Sequence, residues 1–246
     1  MNTTNKTVLV TGGGSGIGYE IAKLLKELGN TVIIAGRDAV KIKQAGSVLG
    51  VEALVCDLNN TSDIEALVAT ISTEFPNLSM LVNNSGVAHL YQLGVGADAF
   101  DKATAEFKVN YFAPVLLTEK LLPVLKQQAE AGIVNITSNV SFHPLVVLPT
   151  YSDSKAALHS HTVALRHTLA KDTAIKVYEV MPSLVNTAAT KDMGGENGMH
   201  PREVAEALVK GIAAGEDEIY VGDTGAQRNA YFADPLQAIE TFNKGL

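Results

Sequence analysis

The chain has 246 residues, 46% of them hydrophobic, with 19 lysines and arginines against 26 aspartates and glutamates, a net charge of −7. That length buries a sizeable core in one or two domains, and an acidic balance with no basic stripe gives no attraction toward a nucleic-acid backbone or an anionic bilayer, so neither partner is expected. Cys56 is the only cysteine, no run of 18 apolar residues occurs and the first six residues are polar; the expectation is a cytoplasmic protein with no disulfide, no signal peptide and no membrane span, with Cys56 a small core residue.

Lys6 to Thr11 is a β-branched run that ends in Gly12-Gly13-Gly14, after which Ile21, Leu24, Leu25 and Leu28 fall at i, i+3, i+4 and i+7. Strand, turn, helix is the pattern. Gly29-Asn30 stops the helix, and Thr31 to Ala35 is the next strand. A polar helix from Asp38 to Val48 leads to a strand at Val51–Cys56. Ile64, Leu67, Val68 and Ile71 then mark a helix before a strand at Leu78–Val82. From Asp98 to Glu130 the pattern is helical and long, with a kink or reset predicted at Pro114. A strand at Ile133–Thr137, a helix from Tyr151 to Lys171, and strands at Ile175–Met181 and Glu218–Val221 around a helix at Pro201–Ala213 complete the chain. Seven strands alternating with six helices, several strands apolar throughout, predict an α/β fold. Its form is a single domain over 1–246, a Rossmann-type doubly wound parallel sheet with helices on both faces. Met193 to Gly198 reads as a mobile loop.

The turn Thr11 to Gly18 lies where the first strand meets the first helix, the place at which a doubly wound sheet binds a dinucleotide pyrophosphate. Glycines let the backbone approach a phosphate, and the helix N-terminus offers unpaired N–H groups. Gly12, Gly16 and Gly18 are spaced G-x-x-x-G-x-G. They do not satisfy G-x-G-x-x-G, and no Lys-Ser/Thr pair follows to make a Walker-type loop.

With Asn83-Asn84-Ser85-Gly86 and Tyr151-Ser152-Asp153-Ser154-Lys155 in the expected order, this turn resembles that of the short-chain dehydrogenase/reductase family. The stretches 145–151, 156–160 and 217–222 look like its DltE-type oxidoreductases, which are bacterial. The chemistry suits the residues. Carbonyl reduction needs a proton as charge develops on oxygen, and a Tyr hydroxyl is a sluggish acid or base at neutral pH unless tuned. On a helix Tyr151 and Lys155 share a face, so the ammonium is expected to lower the Tyr pKa and to reach a nicotinamide ribose. The resemblance implies that Tyr151 is the acid/base, that Ser138 hydrogen-bonds the substrate oxygen in preference to its neighbours Thr137 and Ser141, and that Asn110 holds a water in a proton relay from Lys155.

It implies cofactor contacts as well. These are Gly12, Gly14, Ser15, Gly16, Ile17 and Gly18 in the turn, and Asp57 and Leu58 beside the adenine. Asn84, Ser85 and Gly86 follow the fourth strand, with Ser where the family usually has Ala. Pro182, Val185 and Thr187 hold the carboxamide, in a stretch where Ser183 replaces the usual Gly. Eighteen residues beyond Gly18, where relatives that prefer NAD carry Asp, stands Gly36, followed by Arg37; a cation suits a 2′-phosphate, so NADP(H) is expected over NAD(H). Asp38 dissents, unless it caps the helix that begins there.

The expected function is an NADP(H)-dependent oxidoreductase acting on a small carbonyl or secondary alcohol. The alternatives are the same enzyme using NAD and a catalytically silent dinucleotide sensor. His143, in the loop after Ser138, is expected to wall the substrate pocket with Leu145, and 186–200 to form a short flexible lid. The six histidines show no metal-ligand spacing, so no metal is expected. Arg166 and Lys171 read as solvated or interface residues, and the resemblance implies a homodimer or homotetramer.

Overall fold

A computed structural model describes residues 1–245. The strands are continuously apolar because both faces of the sheet are covered. In β1 (Thr7–Thr11), Val8 and Val10 face one side and pack with Ile21 and Leu25 of α1 (Gly16–Glu27) and Val204, Leu208 and Ile212 of α7 (Pro201–Ala214). Leu9 faces the other side, with Ile64, Leu67 and Ile71 of α3 (Thr61–Glu74) and Leu117 and Leu121 of α5 (Ala113–Leu125). Each fully buried aliphatic side chain of this kind contributes about 1.5–3 kcal/mol relative to exposure.

The remaining strands are β2 (Thr31–Gly36), β3 (Glu52–Val55), β4 (Leu78–Asn83), β5 (Ala131–Ile136), β6 (Ile175–Pro182) and β7 (Glu218–Val221). All seven pair in parallel in the order β3-β2-β1-β4-β5-β6-β7, a doubly wound Rossmann-type sheet as the alternation predicts. The chain winds outward from β1 to β3 and then restarts at β4 on the other side of β1. This places the switch point, and with it the ligand crevice, at the C-terminal ends of β1 and β4. Thr11 staples these two ends, its Oγ1 accepting from the backbone N–H groups of Asn84 at 3.0 Å and Ser85 at 3.2 Å.

Two expectations need correction. The long helix is interrupted before Pro114: α4 (Ala99–Phe107) runs into a π turn at Lys108–Phe112, and α5 follows. Pro114 has no N–H to give the carbonyl of residue 110, and its ring would crowd that carbonyl. The backbone widens instead, and the Ala113 N–H reaches back to the Lys108 carbonyl. The helix also stops at Leu125, short of Glu130.

Second, the chain past β7 forms two helices that the apolar pattern does not predict, α8 (Thr224–Ala233) and α9 (Pro235–Phe242). Together with α2 (Ala39–Leu49) and α6 (Pro149–Leu169), this makes nine α-helices among the described residues rather than six. The signal for α9 was present, since Asp234 caps it through the Gln237 N–H and Pro235 stands in the first turn.

The stretch 186–200 contains 3-10 turns at Ala188–Met193 and Gly195–Asn197. Its ends are pinned together by the Asn186 N–H to the Met199 carbonyl at 2.8 Å and the Met199 N–H to the Leu184 carbonyl at 3.0 Å. A Cβ on Gly195 would lie 2.4 Å from Thr190 Oγ1, so that glycine permits close packing.

Candidate active site

A cleft of about 1040 Å3 opens at the C-terminal edge of the sheet, running from the glycine turn to the loops after β5 and β6. Gly12 and Gly16 adopt left-handed backbone conformations, φ 69° and 57°, at which an L side chain is strained. Ser15 stands at the N-cap of α1 with its side chain unengaged, and the first turn of the helix holds no acidic residue. Gly12, Gly14, Ser15, Gly16 and Ile17 therefore line a cradle of backbone N–H groups at the positive end of a helix, and this fits a dinucleotide pyrophosphate. Gly18, expected among the contacts, does not line the cleft. A Cβ there would meet the Gly12 carbonyl and Asn84 Nδ2 at 2.4 Å, so its work is to let α1 pack against the sheet edge.

Farther along, Arg37, Asp57 and Leu58 line the cleft beside the glycine turn, as does Lys41, which no sequence signal marks. Asp38 turns to the helix, its Oδ1 accepting from the Val40 and Lys41 N–H groups, both at 3.0 Å. Asp57 accepts from the backbone and side chain of Asn59, which with Arg37 hold its carboxyl below the usual range. Cys56 is buried, as expected of a core residue, but it also backs the cleft; burial and then Asp63 and Asp57 push its thiol up to about 12. Asn84, Ser85 and Gly86 line the middle of the cleft, and Pro182, Val185 and Thr187 its far wall.

Ser138, Tyr151 and Lys155 come together in the same cleft. β5 ends at Ile136, and the next two residues carry hydroxyls of different fates. Both line the cleft, but Thr137 Oγ1 donates to the buried Glu179 at 2.6 Å, whereas Ser138 is the hydroxyl beside Tyr151, whose pKa it lowers. Ser141 does not line the cleft and its buried Oγ has no partner. Of the three hydroxyls, only that of Ser138 acts on Tyr151.

Lys155 Nζ lies 5.7 Å from the centre of the Tyr151 ring and donates to the Ile136 carbonyl at 2.8 Å. Burial pushes the Lys155 ammonium down to about 8, partly opposed by Glu179. Burial also pushes Tyr151 up to about 12, with Ser138 lowering it and Glu106 raising it further. In the protein alone the loss of water dominates at Tyr151, which stands above its ordinary value rather than below it.

Asn110 sits in the π turn, behind the cleft. Its Oδ1 accepts from the Val87 N–H at 2.9 Å, and its Nδ2 donates to the Val87 carbonyl and to Ser154 Oγ, each at 2.9 Å. A Cβ on Gly86 would lie 3.5 Å from Asn110 Oδ1 and 3.7 Å from Lys155 Nζ, so both polar atoms border one small space.

Leu145 lines the cleft, but His143 does not. The unpredicted α9 covers it: the His143 ring lies 4.0 Å from that of Phe242, and its Nδ1 is buried without a partner. It borders a second cavity of about 360 Å3 instead. Gln227 and Phe242, also from this C-terminal pair of helices, line both cavities, and no apolar periodicity announces them.

The model of the short chain dehydrogenase family matches residues 6–197. The chain is 38% identical over 249 residues to the oxidoreductase DltE of Bacillus subtilis (strain 168), covering 99% of this chain and 98% of that one. Among solved structures, a short chain dehydrogenase from Burkholderia cenocepacia J2315 in complex with NADP superposes with a TM-score of 0.87 at 23% identity, covering 100% of both chains. A short chain dehydrogenase/reductase from Burkholderia phymatum in complex with NAD gives 0.86 at 20% identity over 96% of each.

Proposed function

The chain belongs to the short-chain dehydrogenase family, and on that premise we propose that it is an NADP(H)-dependent oxidoreductase acting on a small carbonyl or secondary alcohol. The observation that carries this reading is the meeting of Ser138, Tyr151 and Lys155 in one cleft with the glycine cradle of α1. When bound, NADP(H) supplies or takes up the hydride. Tyr151 Oη, protonated at neutral pH, holds the proton that the substrate oxygen takes. Ser138 Oγ orients that oxygen. Lys155, still a cation at pH 7, opposes the phenolate that Tyr151 becomes, and the space shared by Lys155 Nζ and Asn110 Oδ1 suits a water that returns the proton.

Arg37 and Lys41 favour a 2′-phosphate, and the engagement of Asp38 in capping α2 lifts the main objection to it. Leu145 and the turns of 186–200 border the substrate end. Phe100 on α4 and Phe112 in the π turn are 82% and 57% exposed, in keeping with a homodimer or homotetramer formed over this face; native mass measures the assembly.

The test is oxidation of NADPH and of NADH across a panel of aldehydes, ketones and β-keto esters, with Tyr151→Phe beside the parent. Turnover with NADPH that falls by about 10²–10⁴ in Tyr151→Phe is expected. Binding of NADPH without turnover of any carbonyl refutes the reading in favour of a silent dinucleotide sensor.

A further inference from the structure

The Ser138 hydroxyl has one proton to give and two lone pairs to accept with. In the structure the proton is committed away from the cleft, because Ser138 Oγ donates to Asn139 Oδ1 at 2.9 Å. The same oxygen receives the Val140 N–H at 3.4 Å. Asn139 is buried, and its amide is set in turn by α8, since Asn139 Nδ2 donates to Gln227 Oε1 at 2.8 Å. With the amides in this direction Ser138 offers the cleft only a lone pair. A carbonyl oxygen gaining negative charge needs a donor there.

The two ends of a carboxamide differ little in size, so the same heavy-atom positions admit the opposite polarity. Gln227 Nε2 would then donate to Asn139 Oδ1, and Asn139 Nδ2 to Ser138 Oγ, which leaves the Ser138 proton free for the substrate oxygen. Every hydrogen bond between the three side chains is kept and only its direction changes. Gln227 is placed to respond to what enters, for it lines both the main cleft and the adjoining cavity beside His143.

We propose that Asn139 and Gln227 are positioning residues for the reaction, a pair of amides that reverse together and so decide whether Ser138 presents a lone pair or a proton to the substrate oxygen. The inference rests on the reductase reading above. Neither residue belongs to the set that the sequence motifs mark, and neither touches the reacting atoms. In both directions of the reaction the oxygen is anionic at the transition state, so the polarity with the Ser138 proton free is the productive one in both.

The experiment uses the full chain with NADPH and 4-nitrobenzaldehyde. A glutamate at 227 can only accept, so Gln227→Glu holds Asn139 Nδ2 toward itself and Asn139 Oδ1 toward Ser138. A fall in kcat of about tenfold is expected, the equivalent of one misdirected hydrogen bond, with KM, NADPH binding by fluorescence and melting temperature close to the parent. The new charge also acts on the transition state directly, and Asn139→Ala separates the two effects. If the charge works through Asn139, Gln227→Glu costs less than about threefold in the Asn139→Ala background.

An equal loss in both backgrounds overturns the proposal. Gln227→Met supplies a comparison that does not require the Asn139 variant: it removes the bias without imposing the wrong polarity, so its loss is smaller than that of Gln227→Glu. If Met costs as much as Glu or more, the contact is merely structural and the pair directs nothing. A parent that binds NADPH but reduces no carbonyl of the wider panel removes the reductase reading itself, an outcome distinct from either ranking of the variants.

Discussion

Replacing Lys155 by Met should abolish turnover and yet stabilise the ligand-free protein at neutral pH. Folded Lys155 releases its proton at about 8, whereas in the unfolded chain it keeps it to its ordinary 10.5. Between those values the unfolded state binds more protons, so stability rises with pH. Below pH 8 the folded chain carries the full burden of a buried ammonium, about 3 kcal/mol, and about 2.5 kcal/mol of it is recovered by pH 10. Methionine fills much the same volume without the charge but forfeits the hydrogen bond to the Ile136 carbonyl, about 1 kcal/mol. Urea unfolding of both proteins without cofactor should therefore show Lys155→Met more stable by about 2 kcal/mol at pH 7, with the gain gone by pH 10. A variant less stable than the parent at pH 7, or a gain of equal size at both pH values, would mean that the burial of Lys155 does not govern its proton.

Arg37→Ala should weaken NADPH binding by about ten- to a hundredfold, the range of one charge-assisted contact, and leave NADH binding within about twofold; fluorescence titration of both nucleotides reads it, and equal effects on the two would exclude a 2′-phosphate contact. Gly18→Ala drives a Cβ into the Gly12 carbonyl and Asn84 Nδ2 at 2.4 Å, so a loss of about 1–3 kcal/mol in unfolding free energy is expected, and parent-like stability would show that α1 shifts freely. His159 Nδ1 lies 2.9 Å from the buried Glu179, a hydrogen bond that raises the His pKa. The pair's contribution, about 1 kcal/mol, is thus fully present below the unfolded His pKa and fades as pH rises through the folded one. His159→Gln should accordingly lose more stability at pH 5.5 than at pH 9 in thermal melts, and a uniform loss would assign the residue a packing role alone.

The sheet was legible because parallel strands covered on both faces leave an apolar run that no other element imitates at that length, as in Val8 to Val10 and Leu78 to Val82. The C-terminal helices were not, for α8 contains Thr, Gly, Gln, Arg and Asn in ten residues and buries only Thr224. That one omission explains the error at His143, which a loop alone would have left facing the cleft and which α9 shuts behind Phe242. It also hides Gln227. At the π turn, Pro114 announced a break, but not that the widening would fall on the turn before it and carry Asn110. Spacing picks residues out along the chain; which of them face a shared space depends on what later segments cover.

The reversal in the expected behaviour of Tyr151 follows from the same limitation. An i, i+4 ammonium lowers a neighbouring phenol when water surrounds both, and sequence supplies only the spacing. The fold supplies the burial, which acts on the two groups in opposite directions and pushes each toward its neutral form, Tyr151 up to about 12 and Lys155 down to about 8. At pH 7 this leaves a protonated phenol beside a lysine that is still a cation but within about one unit of losing its charge. Such a phenol is poised to give its proton rather than to take one. Glu179 works against the drift of Lys155 toward neutrality, and it is held in place by Thr137 and His159. The residue between β5 and the cleft serine thus supports the charge that the serine's tyrosine partner requires once it has given up its proton.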